Sequence, residues 1–143
     1  MHLLTEVTQG ALLFGPDNKL LILQLPNGPK GQKSDGKWLL PGGRLHVQEK
    51  WIDGLLREIE EETKITDVEV GRVLGVDNWM GFQQPQYGVY FLCKTATPNV
   101  ILSKEHKGFA WITREEIHQF PYLHPHLPAL LEMAFAEKAK QLG

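Results

Sequence analysis

A chain of 143 residues with 42% hydrophobic residues and four tryptophans has enough apolar material to bury a sizeable core, which excludes disorder and favours one domain over 1–143. A net charge of −2 and a pI near 6.3 exclude an electrostatic wrapper of nucleic acid, so no stable nucleic-acid complex is expected. The single cysteine, Cys93, excludes an internal disulfide framework and a multi-cysteine zinc site.

The opening MHLLTEVTQG carries neither the basic start nor the apolar core of a secretion signal. No apolar run reaches membrane-spanning length, so a cytoplasmic protein away from membranes is expected. Glu6 to Phe14 is rich in β-formers, Gly15-Pro16-Asp17-Asn18 is a turn signal, and Leu20 to Leu23 reads as a buried strand; together they predict a hairpin. Pro26 to Gly36 has turn formers, two lysines (Lys30 and Lys33) and no aliphatic residue, and reads as a surface loop, either a connector or a lid. Trp38-Leu39-Leu40 is a short apolar strand that ends in Pro41-Gly42-Gly43, whose two glycines read as a turn.

The segment that follows these glycines carries a helical apolar pattern, which angular position can test. At ~100° per residue with Glu58 at zero, Ile52, Leu55, Leu56 and Ile59 fall within roughly 60° to 160°. Glu58, Glu61 and Glu62 occupy an adjoining arc from about −60° to 40°, whereas Glu60 and Asp53 point elsewhere, near 200° to 220°. A merely soluble helix sets its charges opposite the apolar stripe, so three acids gathered beside it call for another explanation.

Val68 to Val76 reads as a strand with a bulge at Gly71, and Asp77 to Gln86 as a loop carrying Trp79, Met80 and Phe82. Tyr87 to Cys93 is apolar on both alternating faces, as a strand buried on both sides is. Val100 to Leu102 predicts a short strand, Phe109 to Ile112 another, and the spacing of Thr113 and Glu116 a capping box opening a short helix. Phe120 to Pro128 holds three prolines and two histidines and breaks regular structure; His124 and His126 read as plain loop residues. Leu127, Leu130, Leu131, Ala134 and Phe135 then match a core-packing helix. The order of elements predicts an α/β (α+β) domain, a mixed sheet flanked by helices.

The acidic arc is either a solvated helix face or the site of a hard cation. Glutamates at i, i+3 and i+4 project from neighbouring turns of one face. Carboxylate oxygens are the ligands Mg²⁺ prefers, and Mg²⁺ also takes phosphate oxygens from substrates. Such a site suits attack of water on a diphosphate, with a spare carboxylate to accept the proton.

The residues Gly43, Glu49, Arg57, Glu58, Ile59, Glu61, Glu62 and Ile65 fill the pattern Gly-x5-Glu-x7-Arg-Glu-U-x-Glu-Glu-x-Gly-U, with U aliphatic, in register. This resembles the Nudix box, and so many fixed spacings make the signal far more specific than a lone glycine motif. The strand into Pro41-Gly42-Gly43, the later Glu105-x5-Trp111 and the helix at the chain's end also look Nudix-like.

The resemblance implies a Nudix-like α/β/α sandwich and a pyrophosphohydrolase that uses Mg²⁺ or Mn²⁺ on a small-molecule nucleotide. It implies metal ligation by Glu58, Glu61, Glu62 and the Gly42 carbonyl, a further metal-binding or basic role for Glu105, and orienting salt bridges from Arg57 and Glu49. Gly43 supports the site as the first box glycine, and a homodimer is common among similar proteins. One position departs from the pattern: Lys64 stands where the box ends in glycine. A lysine in a left-handed helix end costs about 1 kcal/mol more than glycine and removes no carboxylate.

Outside the box, Phe82, Tyr87 and Trp79 are candidates to stack on a base, and Arg44, Lys37, Lys30 and Lys33 to meet phosphates. The leading substrate is a nucleoside triphosphate or modified dNTP, cleaved to monophosphate and pyrophosphate. The proline and tyrosine that mark ADP-ribose and dinucleoside-polyphosphate subfamilies are absent at their spacings, where Met80-Gly81-Phe82 stands. Nucleotide sugars stay open, as does a catalytically silent nucleotide-sensing domain, although this chain retains every carboxylate of the box.

Overall fold

The computed structural model describes residues 4–28, 34–81 and 83–142. Lys30, Lys33, Phe82 and the middle of the Pro26 to Gly36 loop, residues 29–33, therefore lie outside the described residues. Strand β1 (Glu6–Phe14) turns back into β2 (Leu20–Gln24), with Phe14 opposite Leu20. Asn18 takes a left-handed φ of 57° in the turn, a conformation asparagine tolerates, and its N–H donates to the Gly15 carbonyl at 3.1 Å. β3 (Trp38–Leu39) and β4 (Gly42–Arg44) follow, then α1 (Trp51–Thr63), β5 (Glu69–Met80), β6 (Pro85–Lys94) and β7 (Gly108–Ile112). A 3₁₀ helix (Arg114–Gln119) and α2 (Leu127–Leu142) complete the order.

Among the described residues, seven strands form one mixed sheet with the path β3-β2-β1-β6-β5; β4 adds to β1 and β7 to β2. β1 runs parallel to β6 along its whole length, and the remaining pairs are antiparallel. The alternation of side chains sorts the apolar residues between two cores. Ala11, Leu13, Leu21, Leu23, Phe91 and Cys93 pack on Leu55 and Ile59 of α1. Leu12, Phe14, Leu20, Ile22, Tyr90 and Leu92 pack on Leu127, Leu130, Leu131 and Ala134 of α2. The expected sandwich is what forms, and each fully buried leucine or isoleucine contributes roughly 1.5–3 kcal/mol.

Helix α1 is fixed at both ends. Trp51 stacks on Phe91 with ring centroids 4.9 Å apart, and Lys64 closes the C-terminus at φ 64°, donating its N–H to the Glu60 carbonyl at 2.9 Å. The Thr63 hydroxyl donates to the Ile59 carbonyl (2.7 Å) and accepts the Ile65 N–H (3.1 Å). These bonds offset the cost of a lysine in the left-handed conformation.

Three local expectations are corrected. Asp77 to Met80 is not loop but the end of β5, paired Asp77 with Gly88 and Trp79 with Gln86. Its polar residues disguised it, and they are tolerated because β5 is an edge strand whose outer side chains stay in water. Val100 to Leu102 forms no strand: Val100 and Leu102 pack on the α1 core, but the Ile101 N–H goes to the Thr63 carbonyl at 3.0 Å. Gly42–Arg44 is a strand and not only a turn, set against Thr8–Gly10 of β1. Two expectations hold as local geometry. The β5–β6 register shifts between Val70 and Val73, around Gly71, and Glu116 accepts the Thr113 N–H at 2.9 Å in a capping box.

Candidate active site

The site begins with two glycines. Gly42 has φ 150°, and a Cβ there would lie 1.9 Å from the Gln9 carbonyl oxygen, so only glycine lets β4 cross β1 at this point. Its N–H donates to Glu62 Oε1 at 2.8 Å, which brings the Gly42 peptide against the end of α1. At Gly43 a Cβ would stand 2.5 Å from the Glu58 carboxyl carbon. Gly43 thus clears the volume that the Glu58 carboxylate fills, whereas Gly42 clears room for the backbone of β1. Gly54, inside α1 and without evident reason in the sequence, does the same as Gly43 for a second carboxylate: a Cβ would meet Glu49 Oε1 at 2.7 Å.

Arg57 ties the carboxylates together. Its Nε and Nη2 grip both oxygens of Glu49 at 2.7 and 3.1 Å, and its Nη1 reaches Glu58 at 3.0 Å and Glu61 at 3.4 Å. This fork holds the Glu49 carboxyl down at about 2 and raises Arg57 further above its usual range. Glu49 and Arg57 are thereby locked to one another, with Arg57 set beside Glu58 and Glu61.

The three acids of the arc differ in their surroundings. Glu61 is exposed, Glu58 is mostly buried, and Glu62 keeps only 6% of its side chain in solvent. Burial raises the Glu58 carboxyl against the pull of Arg57. Burial likewise pushes Glu62 up to about 8; the Gly42 N–H opposes this, and repulsion from Glu58, Glu105 and Glu61 adds to it. Glu60 faces solvent, as the helical arithmetic predicts. Glu105 arrives from the loop between β6 and β7, and a carboxylate oxygen of Glu105, one of Glu62 and a ring nitrogen of His106 all lie within 4.8 Å of one another. His106 is a site residue the sequence reading missed; its one signal was adjacency to Glu105.

Carboxylates this close, one of them buried and held at about 8, are short of positive charge. Arg57 divides its single charge among Glu49, Glu58 and Glu61. The donor set of hard oxygens is what Mg²⁺ or Mn²⁺ takes, so the residues present fit such an ion.

Across the sheet edge, Gly42 and Gly43 also line a cavity of about 140 Å³ on the α2 side, together with Trp79, Tyr90 and His124. Trp79 lies 4.4 Å from the His124 ring centroid, and His124 stacks on His126 at 5.3 Å. The Tyr90 hydroxyl and His126 Nε2 are hydrogen-bonded at 2.8 Å. His124 and His126 are thus members of an aromatic stack and not plain loop residues. Burial holds both imidazoles below their ordinary range. Tyr87 sits on the opposite face of β6, the side shared with Val89 and Phe91, and does not line this cavity. Arg44 is exposed and paired with Glu6 at 2.8 Å. Lys37 precedes β3, where its carbonyl accepts the Leu25 N–H at 2.9 Å. A larger cleft of about 470 Å³, lined by Glu69, Lys94 and Lys138, contains none of the clustered glutamates.

The NUDIX domain family model matches residues 4–133. The chain belongs to the NUDIX family. A MutT-like protein of Streptomyces ambofaciens is 28% identical over 116 residues, covering 81% of this chain and 69% of the relative. The nucleoside triphosphatase NudI of Escherichia fergusonii is 27% identical over 95 residues, covering 59% of this chain and 67% of the relative. The crystal structure of the MutT protein from Methanosarcina mazei Go1 is 26% identical and superposes with a TM-score of 0.81, covering 98% of this chain and 99% of that one.

Proposed function

We propose that this Nudix hydrolase is a divalent-cation-dependent pyrophosphohydrolase of nucleoside triphosphates, converting an NTP or a modified dNTP to the monophosphate and pyrophosphate. The observation that carries the reading is the shared rim: Gly42 and Gly43 border both the glutamate cluster and the aromatic cavity. A nucleotide has the same two-part chemistry, an anionic chain joined to a flat base. The NudI relative, whose name states a nucleoside triphosphatase, points the same way.

In this reading Glu58, Glu61, Glu62 and Glu105 would hold Mg²⁺ or Mn²⁺, with the Gly42 carbonyl as a backbone ligand. The cation, when bound, neutralises phosphate charge and makes a water more acidic. The water oxygen joins a phosphorus of the anhydride, the phosphorus–oxygen bond to the departing group breaks, and a carboxylate of the cluster takes the water's proton. Arg57 keeps Glu58 and Glu61 in place while its fork stays on Glu49. Trp79, Tyr90 and His124 offer stacking surfaces that suit any base, so they orient the nucleoside without selecting it.

The test is a panel of dNTPs, ADP-ribose, dinucleoside polyphosphates and nucleotide sugars, incubated with Mg²⁺ and resolved by chromatography. Fastest turnover of a triphosphate to monophosphate and pyrophosphate supports the reading. Preference for a nucleotide sugar moves the substrate class, and a ligand-induced melting shift without turnover indicates a nucleotide sensor.

A further inference from the structure

We infer that His106 contributes an imidazole nitrogen to the cation site, making it a mixed oxygen and nitrogen site rather than an all-oxygen one. The inference rests on the proposal that the glutamate cluster binds a divalent cation. Its own footing is the setting of the ring. The His106 side chain is 4% exposed, and its Nδ1 has no hydrogen-bond partner. Among the described residues, the other buried side-chain atom without a hydrogen bond, Glu6 Oε2, is compensated by Arg44 at 2.8 Å. The nitrogen that faces the acidic cluster is the other one, Nε2, and it too makes no hydrogen bond among the described residues; a buried ring with both nitrogens unbonded against carboxylates calls for a ligand.

The geometry says where that ligand sits. Glu62 Oε1 is taken by the Gly42 N–H, which leaves Oε2 facing the ring, 3.8 Å from His106 Nε2. That distance is too long for a hydrogen bond. Two donors each about 2.1 Å from one ion stand roughly 3.0–4.2 Å apart, depending on the angle between them. The Glu105 carboxylate completes a three-residue set within 4.8 Å. The ring is held there by its loop: the Glu105 N–H donates to Ser103 Oγ at 3.3 Å, the His106 N–H to the Ser103 carbonyl at 3.4 Å, and the Lys107 N–H to the Gln24 carbonyl at 2.9 Å.

A nitrogen donor changes which ions the site prefers. Imidazole favours the later transition metals, whereas carboxylate, carbonyl and water suit Mg²⁺, Ca²⁺ and Mn²⁺. Removing His106 should therefore weaken Co²⁺ or Zn²⁺ at least ~10-fold while changing Mg²⁺ much less.

The direct experiment is electron spin echo spectroscopy of the full chain loaded with Mn²⁺. Modulation from ¹⁴N in the wild type, altered by growth with ¹⁵N-histidine and lost in His106→Gln, is the expected result. The isotope arm needs no substitution, so a misfolded variant cannot obscure the answer. Bound Mn²⁺ with no histidine nitrogen coupling overturns the inference and leaves the cation site standing. Coupling that persists in a folded His106→Gln protein assigns the nitrogen elsewhere and also overturns it. Failure of Mn²⁺ to bind overturns the cation site itself, and this inference with it.

Discussion

Glu62→Gln should stabilise the cation-free protein at alkaline pH, although it removes a residue of the site. Glu62 is almost fully enclosed and is pushed up from 4.5 to about 8. A carboxyl raised on folding contributes stability that is complete below its unfolded value and is lost as pH rises through the folded one. The cation-free wild type should therefore weaken between roughly pH 4.5 and pH 8. At ~1.4 kcal/mol per tenfold the full difference approaches 4–5 kcal/mol. Protonation of Glu58, itself raised by burial, relieves part of the same repulsion, so about 2–4 kcal/mol is the expected size. Glutamine keeps an acceptor for the Gly42 N–H and never ionises. In EDTA, urea or thermal unfolding should show variant and wild type close together at pH 5. At pH 8.5 the variant should be ahead by about 2–4 kcal/mol, or on the order of 10 °C. Equal stability at pH 8.5, or a wild-type pH dependence that the variant retains in full, would refute the reasoning.

Further outcomes follow from the same contacts. Gly43→Ala should lower turnover by at least ~10-fold with only about 1–3 kcal/mol lost in urea unfolding, because the new methyl displaces the Glu58 carboxylate; near wild-type turnover would count against this. Gly54→Ala should destabilise, since contact with Glu49 outweighs the ~1 kcal/mol of helix propensity gained, and a stabilised variant in denaturant titration would show that Glu49 moves freely. Trp79→Ala should raise KM for a triphosphate about tenfold with kcat little changed, as expected for a surface that binds the nucleoside. An unchanged KM would place the base elsewhere.

The parts of this site legible in the sequence are those that depend on local periodicity. Glu60 and Glu62 sit two residues apart in one helix, and angular position alone separates the solvent-facing acid from the enclosed one. Salt bridges from Glu49 and Arg57 are what the resemblance to the Nudix box implies, and in the structure the two side chains pair with one another. What local pattern cannot hold is register between distant segments. Trp79, Tyr90 and His124 meet because β5 pairs with β6 and the loop before α2 folds over both. His106 reaches Glu62 only through the loop between β6 and β7, and its one signal in the sequence is its place beside Glu105. Gly54 shows the same limit at one residue: its helix cost is visible in the sequence, but the Glu49 carboxylate that demands it is visible only in three dimensions.

The measurement that bears most directly on the proposed activity is pyrophosphate release from a dNTP by wild type and Glu62→Gln, each with Mg²⁺ and with EDTA. Release by the wild type with Mg²⁺, abolished by EDTA and reduced at least ~100-fold in the variant, is the predicted outcome. Release that survives EDTA, or a variant as fast as the wild type, would contradict catalysis by a cation held on these glutamates.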